Sequence, residues 1–502
     1  MLEPVARSQD LPELLAGFCT SIIPAVTVNG VTADSRDIAS GDLFLATCGR
    51  CSHGLDHAER AICAGARAIA WERAGDREAT DLSVPNVDVP ALSERIGEIA
   101  AKFHDYPADR LFLVGVTGTD GKTSCAWLIA RALSALDNDC GYLGTLGYGD
   151  LNDLAEARHT TPEATRLQYW LARMVASDYA AAALEVSSHA LDQRRTDALA
   201  FDVAVLTQIG RDHLDYHGDE KTYIAAKRRL FDRPGLRDVV INADDATGRR
   251  WLAENEFSAR PIAYGQSKAT RECDRFVYLA RIVATGDGLS LDIDTHRGTA
   301  YLSSPLVGLF NAFNLAAALA VLLAREIGLN EAVDALSRVP AVPGRMERVD
   351  AGRGQPLVVV DYAHTPGALE AALPALAEHA GGRLFCVFGC GGDRDRGKRA
   401  LMGEIAARYA DRFWITDDNP RGEDPGTIVT DIIDGIPAAV TAASRYEIVH
   451  AREHAIGQAI GEAGPDDVVL IAGKGHETTQ EYGDRRLDFD DRVVARRVLE
   501  AL

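Results

Sequence analysis

The stretch GVTGTDGKTS, residues 115–124, contains the residue types that bind a phosphate group. Gly118 and Gly121 would let the backbone approach a phosphate with no Cβ in the way. Lys122 supplies a positive charge, and the hydroxyl of Thr123 can ligate Mg²⁺. The order of these residues indicates a nucleotide site, and the competing interpretation is a glycine turn beside an exposed lysine.

A second group of polar residues lies in the central part of the chain, in the stretches HTTPEA, LEVSSHALDQRR, RDHLDYHGD and YIAAKRRLF. Glu185 and His213 offer oxygen and nitrogen donors suited to Mg²⁺ or Mn²⁺. The simpler interpretation of RDHLDYHGD is a solvated loop, and that of Lys227 is an exposed lysine on an amphipathic helix. The candidate residues here are Thr160, Thr161, Glu185, Ser187, Gln193, Arg195, His213 and Lys227.

A third group lies in the last part of the chain, in the stretches CGGDRDRGKR, TDDNPRGEDP and AGKGHET. Arginine binds a carboxylate through two parallel hydrogen bonds, and Asp418 and Glu477 could hold an ammonium group. The group predicts a site for a zwitterionic or multiply charged amino acid, whereas the competing interpretation is a set of surface salt bridges. The candidate residues are Arg394, Arg396, Lys398, Arg399, Asp418, Asn419, Arg421, Gly473 and Glu477.

The elements around the glycine loop support the phosphate interpretation. Residues 111–116 form a short apolar run that predicts a buried strand, and residues 122–136 have near-helical apolar spacing. A loop between a strand and a helix N-terminus collects free backbone N–H groups and the positive end of the helix dipole, where anions bind. The general phosphate-loop pattern places a glycine five residues before Gly121, and Val116 stands there instead.

The alternation of apolar stretches and helical sequence predicts parallel sheets. AAALEV, VAVLTQI and DVVINAD in the centre, and PLVVVD, RLFCVF, RFWITD and DVVLIAG near the end, read as buried strands followed by polar residues. Ligands in such sheets bind beyond the carboxyl ends of the strands. The first part contains shorter strand candidates, GDLFLAT and ARAIAWE. Breaks at HDYPADR and RVPAVPGRMERV predict three domains, at residues 1–107, 108–341 and 342–502.

Composition limits the class of protein and of partner. The 502 residues are 47% hydrophobic and 25% charged, with a net charge of −21 that argues against a nucleic-acid partner. No apolar run reaches the ~18 residues of a membrane span, and the first residues lack the order of a signal peptide. We therefore expect a cytoplasmic protein. Its nine cysteines are scattered, and Cys48 and Cys51 have redox spacing without a second such pair, so we expect reduced thiols.

With these stretches collected, the sequence resembles the Mur ligase family over nearly its full length. The shared motifs are GTDGKT at 118–123, TTP at 160–162, EVSSH at 185–189, RDHLDYHG at 211–218 and DNPR at 418–421. The loop form G-T-x-G-K-T is that family's own, which accounts for Val116. Departures from the family pattern are Asp120, where asparagine is usual, and Arg50 and Cys51, where some members place contacts to uridine.

The resemblance implies a three-domain α/β fold, with a mixed α/β UDP-binding domain, a central P-loop ATP-binding domain and a Rossmann-like last domain. It also implies an ATP- and Mg²⁺-dependent, ADP-forming ligase. The reaction would add meso-diaminopimelate to UDP-N-acetylmuramoyl-L-alanyl-D-glutamate through an acyl phosphate, in peptidoglycan precursor synthesis. We expect small-molecule substrates only, no nucleic-acid or membrane partner, and a monomer.

The resemblance also implies residue roles. The nucleotide would contact Gly118, Thr119, Asp120, Gly121, Lys122, Thr123, Ser124, Asn311, Asn314, Arg345 and Asp361. The metal would be organised by Thr123, Glu185, His213 and a carbamylated Lys227, with Lys122, Glu185, His213 and Lys227 as the catalytic set. The UDP-linked substrate would contact Ser35, Thr160, Thr161, Ser187, Gln193 and Arg195. The amino acid would contact Arg394, Asp418, Asn419, Pro420, Arg421, Gly473 and Glu477.

Three alternatives remain open at the level of sequence. A sister ligase could add lysine or another amino acid, although DNPR is typical of diaminopimelate-adding members. A folylpolyglutamate synthase shares the ATP domain, but TTP and DNPR do not suit it. A nucleotide-gated scaffold without turnover would not need Lys122, Glu185, His213 and Lys227 together.

Overall fold

The computed structural model describes residues 2, 5–49, 52–74, 82–136, 138–349, 352 and 354–502. The chain divides into two compact units, which are described separately. Unit 1 consists of residues 1–277 and 317–328, and unit 2 consists of residues 278–316 and 329–502. Arg50 and Cys51, two of the departures from the family pattern, lie outside the described residues.

The first part of unit 1 contains short strands and three helices. Its elements are β1 (Gln9–Asp10), α1 (Leu11–Leu15), β2 (Thr27–Val28), β3 (Val31–Thr32), β4 (Leu43–Ala46), α2 (Ala58–Ala64), β5 (Ala68–Trp71), β6 (Asn86–Asp88) and α3 (Leu92–Phe103). Strands β3-β4-β5-β6 form a parallel sheet, while β1 and β2 pair antiparallel. The strands predicted in GDLFLAT and ARAIAWE are thus confirmed as β4 and β5.

The rest of unit 1 contains the predicted parallel sheet. Its elements are β7 (Phe112–Thr117), α4 (Lys122–Ser134), β8 (Cys140–Gly144), β9 (Gly147–Asp150), β10 (Asp153–Ala155), α5 (Ala164–Ala176), β11 (Ala181–Glu185), α6 (Ser188–Asp192), β12 (Val203–Leu206), α7 (Leu214–His217), α8 (Glu220–Arg228), β13 (Asp238–Asn242), α9 (Ala246–Glu254) and β14 (Arg260–Gly265). The strand order is β10-β9-β8-β11-β7-β12-β13-β14. Strands β8 to β14 in this order are parallel, and β9 and β10 add an antiparallel edge. The carboxyl ends of β7, β11 and β12 therefore lie side by side.

Unit 2 begins with an antiparallel segment that the sequence patterns did not predict. Its elements are β15 (Phe276–Thr285, of which the first two residues belong to unit 1), β16 (Gly288–Thr295), β17 (Gly298–Ser304), α10 (Phe310–Ala324, whose end belongs to unit 1) and α11 (Leu329–Ser337). Strands β16 and β17 pair from Leu289–Ser304 to Thr295–Gly298. Alternating apolar and polar residues in β16 indicate a strand with one buried face.

The larger part of unit 2 is a parallel sheet with an antiparallel edge strand. Its elements are β18 (Glu347–Val349), β19 (Leu357–Asp361), α12 (Pro366–Ala377), β20 (Leu384–Phe388), α13 (Gly397–Tyr409), β21 (Arg412–Ile415), α14 (Pro425–Ile433), α15 (Ala438–Ala442), β22 (Tyr446–Ile448), α16 (Arg452–Glu462), β23 (Val468–Ala472), β24 (Thr479–Tyr482), β25 (Arg485–Asp488) and α17 (Asp491–Glu500). The 6-stranded sheet has the order β18-β19-β23-β20-β21-β22. The parallel strands expected from the last four apolar stretches are confirmed as β19, β20, β21 and β23.

The apolar residues of this sheet are buried on both faces. Val359 and Cys386 belong to one core cluster, whereas Val358 and Phe385 belong to another. Because neighbouring residues of a strand point to opposite faces, both faces are covered. This explains why these strands read as continuous apolar runs, and Cys386 packs among them as a small apolar residue.

No helix among the described residues is long and apolar enough to cross a membrane. The predicted linker HDYPADR contains a short 3₁₀ helix, Pro107–Arg110, between α3 and β7. The predicted domain limits at 107 and 341 remain predictions.

Candidate functional site

The glycine loop joins β7 to α4, as its sequence predicted. Gly118 has φ +153°, and a Cβ there would stand 1.8 Å from Thr207 Oγ1, so the position requires glycine. Gly121 has φ +81° at the N-cap of α4, where no side chain caps the helix. The first turn of α4 therefore presents backbone N–H groups without a capping side chain, which suits an anion.

The backbone of the loop is held in place by polar contacts to the segment after β12. Thr119 N donates to Gln208 O at 2.7 Å, and Thr119 Oγ1 accepts from Gly210 N at 2.8 Å. The Asp120 carboxylate accepts from Gln208 Nε2 at 2.6 Å. An aspartate in this position is thus compatible with an ordered loop, because its carboxylate accepts a hydrogen bond from the Gln208 amide.

Two lysines converge on the carbonyl of Gly118. Lys122 Nζ donates to the carbonyl oxygens of Gly118 and Thr119 at 3.0 and 2.8 Å, and Lys227 Nζ donates to that of Gly118 at 2.7 Å. Lys227 is 1% exposed, so its interpretation as an exposed helical lysine is wrong. Burial, and secondly the positive charge of Lys122, hold the pKa of Lys227 well below its ordinary value. Both effects favour the neutral form of the Lys227 amine in comparison with an exposed lysine.

Glu185, at the end of β11, lies beside the loop. Its carboxylate is buried and accepts from the Thr123 hydroxyl at 2.8 Å, from Thr145 N at 2.8 Å and from the Tyr142 hydroxyl at 2.5 Å. The contact between Thr123 and Glu185 brings two predicted metal donors together. Tyr142 and Thr145 were not identified from the sequence, because nothing local in CGYLGT shows that they turn toward β11.

His213 lies apart from this pair in a cluster of rings. Its ring centroid is 4.6 Å from that of His189 and 6.5 Å from that of Tyr223, and its Nε2 is 3.3 Å from Asp212 Oδ2. The Tyr223 hydroxyl forms a hydrogen bond with Thr119 Oγ1 at 2.9 Å. Lys227 Nζ lies over the Tyr223 ring, 4.6 Å from the ring centroid. Tyr223 thus connects the ring cluster to the loop, a role that its place in YIAAKRRLF did not reveal.

The donor chemistry around the loop fits a small divalent cation. A hydroxyl and a carboxylate in contact, Thr123 and Glu185, are oxygen donors that Mg²⁺ prefers. In the described part of the chain no three His, Cys, Asp or Glu side chains form a ready metal cluster.

The candidates for the UDP-linked substrate form a second cluster at the end of β11. Thr161 Oγ1 donates to Glu185 O at 2.8 Å and accepts from Ser187 N at 3.0 Å. Arg195 donates to Thr161 O at 2.8 Å and, through Nε and Nη2, to Gln193 Oε1 at 3.0 and 2.7 Å. Thr160 Oγ1 accepts from the Thr145 hydroxyl at 3.2 Å. The structure therefore brings together Thr160, Thr161, Ser187, Gln193 and Arg195.

Ser35 lies in a turn of the first part of unit 1 and is buried. Two residues further on, Asp37 accepts from Arg158 at 2.7 Å and from Arg166 at 3.4 Å. These contacts tie the turn to the segment on both sides of Thr160. The placement agrees with a shared role in binding one long substrate.

The remaining nucleotide candidates lie in unit 2. Asn311 Nδ2 donates to Val307 O at 2.8 Å, and Asn314 Nδ2 donates to Asn311 Oδ1 at 2.9 Å. Asp361, at the end of β19, accepts from Met346 N at 2.7 Å, and burial raises the pKa of its carboxyl. The Arg345 guanidinium lies 4.9 Å from the centroid of the Tyr362 ring.

The amino-acid candidates gather at the ends of β21 and β23. Gly473 has φ +118°, and a Cβ there would stand 2.6 Å from Asp418 Oδ2. Among the described residues that oxygen has no hydrogen-bond partner although it is buried. Burial raises the pKa of the Asp418 carboxyl, and the charges of Arg452 and Lys474 act in the opposite direction. A buried oxygen of this kind is a natural acceptor for a ligand's ammonium group.

A lysine of the protein lies between two other candidates. Asn419 Nδ2 donates to Glu477 Oε2 at 2.9 Å. Lys474 Nζ, fully buried, donates to Asn419 Oδ1 at 3.1 Å and to Glu477 Oε2 at 3.0 Å. The ammonium group of Lys474 therefore already neutralises part of the charge of the Glu477 carboxylate. Glu477 was expected to hold an ammonium group of the ligand, and in the structure it holds that of Lys474.

The arginines predicted as one positive cluster have separate roles. Arg399 is buried between Glu423 and Asp431, and Arg396 also contacts Asp431, so both are structural. Arg394 is exposed, with its Nη1 3.4 Å from Asp393 O. Arg421 is 27% exposed at the end of the DNPR stretch, next to the buried Pro420. The surface salt-bridge interpretation thus holds for Arg396 and for Arg421, whose Nε pairs with Glu481 Oε2 at 3.0 Å.

The three parts of the chain match family descriptions in chain order. Residues 27–104 match the Mur ligase family catalytic domain, 116–322 the Mur ligase middle domain and 344–475 the Mur ligase glutamate ligase domain. A protein of Coxiella burnetii named UDP-N-acetylmuramoyl-L-alanyl-D-glutamate–2,6-diaminopimelate ligase is 44% identical over 489 residues, 97% of this chain and 99% of that protein.

The chain belongs to the Mur ligase family.

Two further similarities agree with membership of the Mur ligase family. A protein of the same name from Alkalilimnicola ehrlichii is 46% identical over 483 residues, 95% of either chain. A solved structure of a ligase of that name is 34% identical, covers 98% of this chain and 99% of its own, and has a TM-score of 0.73. The predicted α/β Mur ligase fold is therefore confirmed.

We expect Lys122→Ala to lower turnover by about 10²-fold or more, on the order of 3 kcal/mol, because a positioned charge at a transferring phosphoryl group is lost. The measurement is steady-state ADP release, with thermal unfolding recorded in parallel. Lys268→Ala, in a 3₁₀ helix of the same unit, is the control and should retain full activity. Near-normal activity of Lys122→Ala with an unchanged melting temperature would contradict the phosphate assignment.

Proposed function

We propose that this chain is an ATP-dependent ligase that adds meso-diaminopimelate to UDP-N-acetylmuramoyl-L-alanyl-D-glutamate, as a step of peptidoglycan precursor synthesis. The observation that carries the proposal is the identity of 44–46% over nearly the whole chain to proteins named for this reaction. The site residues named below support it because their chemistry matches the three substrates.

The reaction has two chemical steps. A carboxylate is a poor electrophile, so a carboxylate oxygen of the UDP-linked acceptor attacks the γ-phosphorus of ATP, and ADP leaves. An amine nitrogen of diaminopimelate then attacks the carbonyl carbon of the acyl phosphate. The C–O bond to phosphate breaks, phosphate leaves and the amine loses a proton. Positioning and charge neutralisation are the main tasks of the protein.

The residues of unit 1 divide these tasks. Gly118, Gly121 and the N-terminus of α4 would hold the phosphates through backbone N–H groups. Lys122 would exchange its carbonyl partners for phosphate oxygens and offset their charge. The cluster around Thr161 and Arg195 would hold the UDP-linked substrate with its carboxylate directed toward the loop, because that cluster adjoins Glu185.

Mg²⁺, when bound, would neutralise charge on the phosphoryl oxygens. Thr123 and Glu185 would hold it, with His213 and a carbamylated Lys227 as further candidate ligands. Ser124, in the first turn of α4, and Thr119 and Asp120 complete the loop that would surround the nucleotide. Asn311, Asn314, Arg345 and Asp361 are proposed nucleotide contacts from unit 2.

The site in unit 2 would select the amino acid. Arg421 and Arg394 are suited to a carboxylate, and Asp418 to an ammonium group. Asn419 and Glu477, held by Lys474, would place further polar atoms around the same ligand. Gly473 keeps this side of the pocket open because any side chain there would collide with Asp418.

An ADP-release assay across a panel of amino acids tests the function directly. We expect release that depends on both the UDP-dipeptide acceptor and meso-diaminopimelate, with little release for L-lysine, L-ornithine or D-alanine. A sister ligase would show its highest rate with another amino acid. A nucleotide-gated scaffold would bind ATP and release ADP at a rate that no amino acid changes, which would contradict the proposal.

The organisation of the molecule is proposed on the same basis. Three domains at residues 1–107, 108–341 and 342–502 would bind the UDP moiety, ATP and the amino acid. We propose a cytoplasmic monomer that acts on small molecules, without a nucleic-acid partner.

A further inference from the structure

The Arg421 side chain has an internal carboxylate partner. Arg421 Nε donates to Glu481 Oε2 at 3.0 Å, and Arg421 Nη1 donates to Gly392 O at 3.0 Å. Glu481 lies on β24, the first strand of the β24–β25 hairpin, and is 39% exposed. The ordinary interpretation of such a pair is a weak surface salt bridge.

The hairpin is joined to the DNPR stretch by a series of bonds, and the salt bridge is only one of them. Arg421 N donates to Glu481 O at 3.0 Å, Glu481 N donates to Asn419 Oδ1 at 3.1 Å, and Gly483 N donates to Arg421 O at 2.6 Å. The Tyr482 hydroxyl donates to Asp417 Oδ2 at 2.9 Å. Backbone and side-chain bonds together fix the position of Glu481 relative to Arg421.

This arrangement determines which edge of the guanidinium is presented to a ligand. Arg421 has five N–H donors in a rigid plane. Glu481 uses the Nε edge and Gly392 O uses one Nη1 donor. Among the described residues this leaves one Nη1 donor and both Nη2 donors of Arg421, enough to bind a carboxylate through two hydrogen bonds.

We propose that Glu481 is a positioning residue that orients Arg421 for two-bond recognition of the distal carboxylate of the amino-acid substrate. The inference rests on the proposed function, because it assumes a substrate with a second carboxylate. The orientation of Arg421 requires the hydrogen bond that its Nε donates to the Glu481 carboxylate. A glutamine at 481 preserves that acceptor, whereas alanine removes it and allows the guanidinium to rotate about its long side chain.

The test compares Glu481→Ala and Glu481→Gln with the wild type in steady-state kinetics. For Glu481→Ala we expect the KM for meso-diaminopimelate to rise about 10-fold, because a small misplacement of a binding group has an effect of this size or larger. The kcat and the KM values for ATP and the UDP-linked acceptor should stay within about 3-fold, since the loop and the acceptor cluster belong to unit 1 and Glu481 belongs to unit 2. Glu481→Gln should restore the KM for meso-diaminopimelate to within about 3-fold of the wild type.

Glu370→Ala is the matched control, because Glu370 pairs with Arg408 on the surface of the same unit at 3.4 Å and is far from DNPR in the sequence. An unchanged KM in Glu481→Ala would overturn the inference, and a lower KM would show that Glu481 competes with the substrate instead. An equal rise of the KM for meso-diaminopimelate in Glu481→Gln and Glu481→Ala would also overturn the inference. The charge of Glu481, rather than its hydrogen bond to Arg421, would then be responsible. If Glu481→Ala unfolds, Glu481→Met takes its place with the same expected rise in KM, because methionine keeps the length of the side chain and lacks the carboxylate oxygen that accepts from Arg421 Nε. Absence of wild-type turnover with meso-diaminopimelate would refute the proposed function itself, a result distinct from all of these.

Discussion

Replacing Arg421 with alanine is expected to remove most of the activity with meso-diaminopimelate, by roughly 2–5 kcal/mol in kcat/KM once the substrate buries the charge pair. The guanidinium is held at two points, by Glu481 and by Gly392 O, so it is oriented before a ligand arrives. Preorganisation of this kind increases what the two hydrogen bonds to a carboxylate contribute.

The same residue is expected to exclude lysine in the wild type. Lysine lacks the distal carboxylate, so its binding would desolvate Arg421 and Arg394 without supplying a partner. Sites built around a polar partner reject analogues that lack it by about 10⁴-fold. Arg421→Ala should not gain substantial lysine activity, because removing a charge does not create a pocket that fits the shorter ligand.

The measurement is kcat/KM for both amino acids on wild type and Arg421→Ala. Arg408→Ala is the control, since Arg408 also pairs with glutamates in unit 2 but lies on the exposed face of α13. Comparable kcat/KM values for lysine and meso-diaminopimelate on the wild type would show that the interpretation of DNPR is wrong.

Lys227→Ala is expected to be inactive, with a loss of at least about 10³-fold. The lysine is buried against Gly118 O, and Lys122 lies on the same carbonyl. Two ammonium groups there would repel each other and a bound cation. Burial lowers the pKa of Lys227, and this shift favours the neutral, nucleophilic amine over the ammonium group.

We therefore predict that Lys227 reacts with CO₂, forming an N–C bond to give a carbamate and releasing a proton. The product is anionic, so it would attract Mg²⁺ and balance the charge of Lys122. ¹³C-NMR of enzyme equilibrated with ¹³CO₂ should show a carbamate signal that is absent from Lys227→Ala. Acetate should restore part of the activity of Lys227→Ala by supplying a carboxylate.

The pH dependence follows from the direction of the pKa shift. Carbamate formation needs the neutral amine, so the ¹³C signal should be retained down to a pH well below the ordinary pKa of lysine and disappear as the amine protonates. Lys221→Ala is the control on the same helix, since Lys221 is exposed, and it should change neither activity nor the signal. Full activity in Lys227→Ala without added carboxylate would contradict the metal-organising role.

Local sequence patterns were sufficient to predict the strands, the loop and the helix that position the candidate site residues. An apolar run, two glycines and a lysine before a helical pattern predicted β7, the loop and α4, because a strand-to-helix turn depends on residues close in the chain. Four of the five parallel strands described in unit 2, β19, β20, β21 and β23, were predictable for a related reason. Burial on both faces leaves a continuous apolar run, and the polar ends of these runs marked Asp418, Arg421 and Gly473.

The burial of Lys227 and the ion pairs of Arg399 could not be predicted from local patterns, because the residues that cause them are distant in the sequence. The pattern of α8 suggested that Lys227 is exposed, and only the packing of α8 against the loop, 109 residues away along the chain, buries it. Arg399 looked like part of a ligand-binding cluster, but Glu423 and Asp431 neutralise it. The antiparallel strands β15–β17 were missed because no ligand-type residue called attention to their alternation.

The sequence by itself determined the class of fold, the phosphate loop and the types of group available for three charged substrates. Those properties depend on short-range spacing and on residue chemistry. The tertiary structure decided which groups meet: Thr123 with Glu185, Lys227 with Gly118, and Glu481 with Arg421. Thr123 and Glu185 meet because β7 and β11 are neighbouring parallel strands whose carboxyl ends lie at one edge of the sheet. The packing of helix α8 and of the β24–β25 hairpin brings in Lys227 and Glu481.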